Sequence, residues 1–267
     1  MSNPSVWNPG GVIVWPEPAP APSPVPPLVV FALLQLDAYP LVDEKVLNTI
    51  NAPNITGANI VASPVPGTAL GAMKNLDPTL AVYQATTNAP FPLGDYPVSG
   101  TAATMEMFMR RDGPAGLALG SAGWQIRFTM SFSSIDYSEY ASVNVEFYNN
   151  VADGGNAGVA MQISTTLEFV SLFRIGAFDP TEAVYEHAAC IFSGDTISLC
   201  VAGVEIFSYT LATGTFPPGT NFDSASVRIQ SNAASEDALT KYISGFRVCD
   251  GALYTAPFTP PVAPLTL

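Results

Sequence analysis

The stretch between residues 186 and 211 constrains the fold most, because it leaves room only for short strands joined by tight turns. Turn signals at Ser193-Gly194-Asp195 and Ala202-Gly203 divide it into three segments rich in Val, Ile, Phe, Tyr and Thr. Glycine supplies the positive φ that hairpin turns need, and β-branched and aromatic residues favour strands. The spacing predicts strands over residues 189–192, 196–201 and 204–211, which form an antiparallel meander.

Apolar segments of strand length recur along the rest of the chain between clusters of turn residues. They predict further strands over residues 28–36, 101–110, 124–133, 142–148, 159–164, 167–175, 225–230 and 242–248. Short strands with frequent turns favour an all-β sandwich over alternating strands and helices. Residues 63–100 contain six prolines and little periodicity, so they are predicted to form a long loop region.

Alternation in the segment 101–110 assigns its side chains to two faces. Met105, Met107 and Met109 share one face, while Thr104, Glu106 and Phe108 share the other. Methionine fills irregular gaps in a core, so the methionine face is predicted to point inward rather than to bind a partner.

Residues 1–27 form a separate region, because they hold nine of the 25 prolines and two tryptophans. Proline fixes φ and removes backbone donors, which predicts an extended, polyproline-like arm. Two interpretations remain open: a flexible tail, or an anchoring arm that docks on a partner subunit through Trp7, Pro9, Trp15 and Pro16. The predicted organisation is an arm over 1–27, one domain over 28–261 and a tail over 262–267.

Charge and hydropathy exclude several classes of partner. The formal net charge is −13 with nine Lys and Arg, which does not suit a phosphate-binding surface, so nucleic acid is not expected as a partner. The longest apolar run, residues 28–36, is too short to span a bilayer, and the N-terminus lacks the pattern of a secretory signal. We therefore expect cytoplasmic synthesis and no membrane partner.

Cys190, Cys200 and Cys249 are an odd number of cysteines in a chain without a secretory signal, which predicts buried free thiols. A disulfide between Cys190 and Cys200 across the hairpin is the alternative. His187 and Cys190 resemble half of a zinc site, but the sequence supplies no second half. Asp153, Asn156 and Asp195 are loop oxygens of the type that calcium binds, without a calcium-loop spacing. No cofactor is therefore expected, with calcium left open.

Several of these segments resemble the LamG-like, concanavalin A-like jelly-roll domains of phage virion proteins. The meander carries the family pattern at His187, Gly194, Asp195, Thr196, Gly203 and Val204, although Glu186 and Ala202 replace the usual Trp and Asp. The most specific match is the closing segment, residues 242–261, in which eleven positions agree in order: Tyr242, Ile243, Arg247, Gly251, Tyr254, Thr255, Ala256, Phe258, Thr259, Pro260 and Pro261.

The resemblance implies an all-β concanavalin A-like jelly-roll sandwich with an extended Pro-rich N-terminal arm. It also implies a non-enzymatic virion structural protein, either a capsid decoration, a head fibre or a tail-fibre subunit. On this interpretation the arm binds other virion proteins, and the chain forms a homo-oligomer such as a trimer. The opening Ser5-Val6-Trp7-Asn8-Pro9 is similar to the N-termini of some phage fibre proteins, where that end attaches to the virion.

Two other functions remain as alternatives. A carbohydrate-binding module for host-surface recognition would use loop aromatics and amides, for which Tyr137, Tyr140, Tyr148 and Asn149 are the candidates. A glycoside hydrolase would need two carboxylates, but Ser134 occupies the first position of the segment 134–139 that comes nearest to the glucanase pattern. With one histidine and no nucleophile motif, we expect no enzymatic activity.

Overall fold

The structure is a computed structural model of the 267-residue chain. It describes residues 30–35, 49–51, 55–62, 71–74, 83–92, 102–112, 123–133, 140–150, 156–175, 185–212, 221–229, 240–262 and 265. The predicted arm over residues 1–27 therefore lies outside the described residues, as does Tyr137. Within the described ranges no helix has the length and apolar character needed to cross a membrane.

The described residues form two antiparallel sheets and one short 3-10 helix (Gly57–Asn59). Sheet A contains β1 (Val30–Leu34), β3 (Ile60–Ala62), β4 (Gly71–Lys74), β6 (Ala102–Asp112), β11 (Glu186–Ser193), β12 (Thr196–Val201), β13 (Val204–Thr210) and β15 (Thr240–Asp250). Sheet B contains β2 (Thr49–Asn51), β5 (Tyr83–Pro92), β7 (Gly123–Ser133), β8 (Tyr140–Asn150), β9 (Asn156–Thr165), β10 (Phe169–Ile175) and β14 (Asn221–Ile229).

The order of strands within each sheet mixes neighbours in sequence with strands from distant parts of the chain. Sheet A runs β13-β12-β11-β6-β15-β4-β3, with β1 paired to β15 beside β4. Sheet B runs β10-β9-β8-β7-β14-β5-β2. The long crossings between the two sheets build a sandwich, and the all-β prediction is confirmed.

The core lies between the two sheets and follows the alternation of side chains along each strand. Met105, Met107 and Met109 of β6 point into it, as predicted, and meet residues such as Phe128 and Phe147 from sheet B. These side chains are at most 2% exposed. Because every second residue of β6 to β9 is apolar, one face of each strand is withdrawn from water while the other face is left for other contacts.

The opening and closing strands of the domain pair with each other. β1 runs antiparallel to β15, with Leu34 opposite Phe246. After β1, the Gln35 side chain donates from Nε2 to the carbonyl oxygen of Leu265 at 2.8 Å. β1 and the region after β15 are therefore joined by strand pairing and by a side-chain hydrogen bond.

The meander has the predicted strands and turns. The β12–β13 turn places Ala202 at φ 50° and Gly203 at φ 79°, and Gly194 in the β11–β12 turn has φ 63°. Positive φ at both central residues is the signature of a turn whose twist matches that of the flanking strands.

Two sequence-based expectations differ from the structure. The predicted loop over residues 63–100 is wrong in part, because it contains β4 and β5. Its prolines Pro90 and Pro92 lie at the end of β5, near a register shift in the pairing with β14, where few ladder hydrogen bonds are lost. The alternative disulfide is also wrong: Cys190 faces the core while Cys200 packs on the outer side of sheet A. The thiols are free and buried, as predicted.

Candidate functional site

The outer face of sheet A is covered over β6 and β11 by the chain itself. After β15 the C-terminal segment, defined here as residues 251–262 with Leu265, crosses this face. Thr104 donates through Oγ1 to the carbonyl oxygen of Gly251 at 2.8 Å and accepts from the backbone N–H of Leu253 at 3.0 Å. Tyr254 and Phe258 stack with ring centroids 4.2 Å apart and pack against Ala189 and Cys200. The part of this face over β6 and β11 is therefore sealed by apolar contacts and by hydrogen bonds between side chains and backbone, whereas Ser208 and Thr210 of β13 stay exposed.

Glu106 lies at the centre of this sealed face and accepts hydrogen bonds from three side chains. His187 Nε2 is 2.7 Å from its Oε2, Tyr254 donates its hydroxyl to the same oxygen at 2.7 Å, and Arg247 Nε donates to Oε1 at 2.8 Å. The donors come from β11, from the C-terminal segment and from β15. One carboxylate thus ties three parts of the chain to β6.

Burial alone would raise the pKa of Glu106, but the hydrogen bond from His187 and the charge of Arg247 outweigh it. The pKa of this carboxyl therefore lies below its ordinary value of 4.5. Burial and the adjacent Glu106 charge raise the pKa of Tyr254. The side chains of Glu106 and His187 are both 0% exposed. Such an enclosed arrangement suits the attachment of the C-terminal segment, because a ligand cannot touch either group without displacing that segment.

The outer face of sheet B has a different character. Alternation with the core residues of β7 to β10 and β14 turns polar side chains outward, and most of them are half-buried. Pairing of the strands aligns them in three rows. The rows are Ser171–Gln162–Asn144–Thr129–Ser226, Phe169–Ser164–Ser142–Ser131, and Phe173–Ala160–Glu146–Arg127–Arg228.

The row that begins at Ser171 lies between the other two and is the longest run of uncharged hydrogen-bonding groups. It crosses five strands, but Ser226 at its β14 end is buried, so the part that is open to a ligand covers four strands and extends over about 14 Å at the usual strand spacing of about 4.8 Å. Thr129 donates through Oγ1 to Oδ1 of Asn144 at 2.7 Å, which fixes the plane of that amide. Hydroxyl and amide groups both donate and accept, so this row can pair with a ligand that carries many hydroxyls.

Exposed apolar side chains border these rows along the edge strand β10. Phe169 is 68% and Phe173 is 69% exposed, and Leu167 in the preceding turn is 72% exposed. Phe169 and Phe173 lie four residues apart on one face of the strand, or about 13 Å at the usual rise per residue. Large apolar side chains exposed together mark an interaction surface more often than single exposed ones do.

The structure separates the sequence-predicted glycan candidates. Tyr140 begins β8 on the outer face of sheet B, is 51% exposed, and its backbone pairs with Thr166 beside the β9–β10 turn. Tyr148 and Asn149 lie at the opposite end of β8, eight or nine residues away, and their side chains lie outside the described set. Of these candidates, Tyr140 is therefore the one placed near Leu167 and the aromatic edge, by which we mean the exposed Phe169 and Phe173 of the edge strand β10.

The candidate metal ligands are not brought together. His187 faces the outer side of sheet A and Cys190 faces the core, so they do not share a face. Asp195 accepts from the hydroxyl of Thr196 at 3.1 Å within its own turn, and Asp153 lies outside the described residues. In the part of the chain that the structure describes, no group of three or more His, Cys, Asp or Glu residues could hold a metal ion.

Sequence reasoning missed the outer face of sheet B. The signal was present: Ser142, Asn144 and Glu146 alternate with the apolar residues of β8, and Phe169 and Phe173 alternate with Val170 and Leu172 in β10. The alternation alone could not show that β10 lies at an edge, nor that the polar sides of five strands form one surface.

Comparison with known proteins identifies the fold. A botulinum neurotoxin DC binding domain matches with a TM-score of 0.50 and 8% identity, over 85% of this chain and 48% of that chain. The Emp47p carbohydrate recognition domain matches with a TM-score of 0.49 and 13% identity over 84% and 98% of the two chains. A Bacillus licheniformis β-glucanase matches with a TM-score of 0.43 and 13% identity over 82% and 97%.

This chain spans about half the length of the neurotoxin binding domains that it matches. No protein-family model and no curated protein matches the sequence. With its two antiparallel sheets, the chain has a concanavalin A-like jelly-roll fold, as predicted.

Proposed function

We propose that this chain is a carbohydrate-binding domain whose ligand lies on the outer face of sheet B. The observation that carries the proposal is the continuous row of hydroxyl and amide side chains beside exposed phenylalanines. The C-terminal segment occupies the outer face of sheet A over β6 and β11, which leaves the outer face of sheet B as the larger surface for a ligand.

A sugar presents hydroxyl groups around its ring and C–H groups on its faces, and both find counterparts here. Asn144 and Gln162 supply amide groups from neighbouring strands, and Ser171 and Thr129 supply hydroxyls on either side of them. Phe169 and Phe173 supply apolar rings against which the C–H face of a sugar can pack. A chain of several sugar units could therefore lie across the strands and end against the aromatic edge.

The fold likeness supports the same interpretation. The botulinum neurotoxin DC binding domain with the TM-score of 0.50 was solved in complex with SialylT. At 8% identity its contact residues do not transfer to this chain, so the proposal rests on the side chains of this chain's own sheet B.

We propose binding without catalysis. Glycoside hydrolysis needs two carboxyl groups on either side of the bond that is cleaved. Among the side chains that the structure describes on the outer face of sheet B, Glu146 has the one carboxylate, and Arg127 forms an ion pair with it.

Substitutions on the two sheets test the proposal. We expect Phe173→Ser and Asn144→Ala each to weaken binding of an oligosaccharide identified on a glycan array by about tenfold, as the loss of one good contact would. Val204→Ser and Ser198→Ala are the matched controls, because Val204 is an exposed apolar residue and Ser198 an outward-facing hydroxyl on sheet A. Isothermal titration calorimetry on all four variants measures the difference.

Absence of binding to every neutral and acidic glycan on the array would overturn the proposal. Equal losses in the sheet A and sheet B variants would place the ligand elsewhere. If Phe173→Ser instead abolished self-association in sedimentation experiments while no glycan bound, the aromatic edge would be an interface between copies of the chain.

A second function is favoured by the match of residues 242–261 to the closing segment of phage virion proteins. We propose that the domain is displayed on a virion through the arm over residues 1–27, where it would present its glycan-binding face outward. Deletion of residues 1–27 should then prevent incorporation into particles without loss of glycan binding. Incorporation at the full level without the arm would contradict the anchoring role.

A further inference from the structure

Two arginines lie directly opposite each other on the outer face of sheet B. Arg127 of β7 pairs in register with Arg228 of β14, between core residues that turn both side chains outward. Side chains opposite each other on neighbouring strands have Cβ atoms about 5 Å apart. Arg127 forms an ion pair with Glu146 of β8. Within the described part of the chain, no carboxylate forms an ion pair with Arg228.

The environment of Arg228 is unfavourable for a cation. The residue is half-buried, and its Nε atom is enclosed and has no hydrogen-bond partner among the described residues. Burial, together with the adjacent charge of Arg127, lowers the pKa of its guanidinium. A desolvated charge without a counter-charge is costly, and like charges opposite each other in a sheet are destabilising. One negative charge, on Glu146, faces two positive ones in this row.

The shortage of negative charge is local, since the whole chain carries a formal net charge of −13 with only nine Lys and Arg. Twenty-two Asp and Glu residues could have supplied a partner. Groups kept in a costly electrostatic state are typical of functional sites, where a ligand completes the arrangement. A carboxylate offers two oxygens in the plane of a guanidinium, which is the geometry that arginine recognises best.

We propose that Arg228 binds the carboxylate of an acidic sugar, so that the ligand of the outer face of sheet B is a carboxylated oligosaccharide. This inference rests on the proposed glycan-binding function. The carboxylate would sit at the Arg228 end of the row that Phe173 begins, and the neutral units would follow the hydroxyl and amide groups toward β10. Arg127, which is already paired with Glu146, would add a positive electrostatic potential that attracts the carboxylate, without being its main contact.

The experiment compares neutral oligosaccharides that carry a single uronic acid unit with the same oligosaccharides after reduction of that carboxyl group. Both sets are titrated into the full chain and into Arg228→Gln and Arg174→Gln. Arg174→Gln is the matched control, because it removes the same charge from an exposed residue of β10 in the same sheet. We expect the carboxylated form to bind at least about tenfold more tightly, as charge-assisted hydrogen bonds allow. Arg228→Gln should abolish this preference, and Arg174→Gln should retain it.

Thermal unfolding excludes a simple folding defect. The melting temperature of Arg228→Gln should not fall below that of the wild type, because the substitution removes a poorly compensated charge. Equal binding of both oligosaccharide forms, unaffected by Arg228→Gln, would overturn the carboxylate site and leave the glycan proposal standing.

A second probe separates the two proposals. Titration with sodium acetate, followed by the NMR signal of the arginine Nε–H groups, tests the anion site without sugar. A shift confined to Arg228, with no oligosaccharide binding, would support the anion site and overturn the glycan-binding function. No response to acetate and no oligosaccharide binding would overturn both.

Discussion

At the scale of single residues, Glu106 shows how a charge can be buried at tolerable cost. Its carboxylate accepts hydrogen bonds from His187, Tyr254 and Arg247, so its loss of hydration is offset by three donors. Sequence alternation placed Glu106 on the outer face of β6, where a charged residue would ordinarily be exposed. That it is buried depends on the C-terminal segment, nearly 150 residues away, which no local pattern reveals.

Substitution of this carboxylate should be among the most destabilising single changes on sheet A. Glu106→Gln would leave Arg247, which is 7% exposed, without its counter-charge. Loss of one partner of a buried ion pair costs about 3–5 kcal/mol of unfolding free energy. Glu146→Gln is the control, because its Arg127 partner is more exposed than Arg247 and the loss of unfolding free energy should therefore be smaller. Urea denaturation at pH 7 measures both, and equal losses would contradict the role of Glu106.

The difference in unfolding free energy between the wild type and Glu106→Gln should depend on pH, with a sign that follows from the pKa of Glu106. Because the pKa of Glu106 is lower in the folded state than its ordinary value of 4.5, its contribution is present above that value and is lost as the pH falls below it. The difference in unfolding free energy between wild type and Glu106→Gln should therefore shrink below about pH 4.5. A difference that stays constant down to pH 3 would mean that Glu106 titrates alike in both states.

Asp250 contributes a pH dependence of stability with the opposite sign. For this reason the unfolding free energies of the wild type and Glu106→Gln must be compared with each other. Burial raises the pKa of this carboxyl to about 6, partly offset by a hydrogen bond from the backbone of Gly251. A raised pKa of an acid in the folded state lowers stability as the pH rises from 3.8 toward 6. This contribution is common to wild type and to Glu106→Gln, so it cancels when one unfolding free energy is subtracted from the other.

At the scale of elements, the turns and most strands were predictable while the surfaces they build were not. Glycines at 194 and 203 fixed the register of the meander, and alternation in β6 to β9 identified the inward faces. β5 was not predicted, because Pro90 and Pro92 favour a loop. In the structure these prolines lie at the end of the strand, near a register shift in its pairing with β14. The row from Ser171 to Ser226 places Thr129 of β7 beside Ser226 of β14, nearly 100 positions away, and only the strand order brings them together.

The β12–β13 turn and the C-terminal segment depend on each other through one glycine. Phe258 donates its backbone N–H to the carbonyl oxygen of Gly203 at 3.0 Å. A Cβ atom added at Gly203 would lie 1.9 Å from the carbonyl oxygen of Phe258, so the backbone of the segment would have to move. Gly251 also has a positive φ of 88°, but a Cβ atom there would meet nothing within 4 Å.

Substitution of these two glycines separates the cost of backbone strain at positive φ from the cost of a steric collision. Gly251→Ala should cost about 1–2 kcal/mol, which is the strain of a side chain at positive φ. Gly203→Ala should cost about 1–3 kcal/mol more, because a collision with backbone adds an overpacking penalty. It should also raise hydrogen exchange at the amide of Phe258, measured by NMR. Equal stability losses, with the Phe258 amide still protected in Gly203→Ala, would show that the segment adapts without detaching.

At the scale of the whole molecule, one sheet is partly covered by the chain while the other has an open outer face, so stability and the proposed binding function can be tested separately. The C-terminal segment covers sheet A and joins β1 to the end of the domain through Gln35 and Leu265. Sheet B contributes its inner face to the same core, while its outer face carries polar rows that the core does not need. Substitutions on that outer face should therefore change ligand binding more than they change folding.

The pairing of β1 with β15 allows the predicted boundary between the arm and the domain to be tested. The first described strand starts at Val30, and Val30 and Leu33 pack with Phe108 and Leu265 in a cluster on the outer side of sheet A. A chain beginning at residue 28 should keep all of these contacts, and we expect its melting temperature to match that of the full chain. A chain beginning at residue 36 would lose β1 and expose one edge of β15, together with apolar surface on Phe108 and Leu265.

We expect the shorter chain to unfold at a markedly lower temperature or to aggregate. It loses three buried apolar side chains, Val30, Leu33 and Leu34, worth about 1.5–3 kcal/mol each, and leaves a strand edge unpaired. Differential scanning calorimetry on the two truncated chains and the full chain distinguishes the cases. If removal of residues 1–27 alone lowered the melting temperature by several degrees, the Pro-rich region would contribute to the fold of the domain. It would then have to be treated as part of the domain and not as a separate arm.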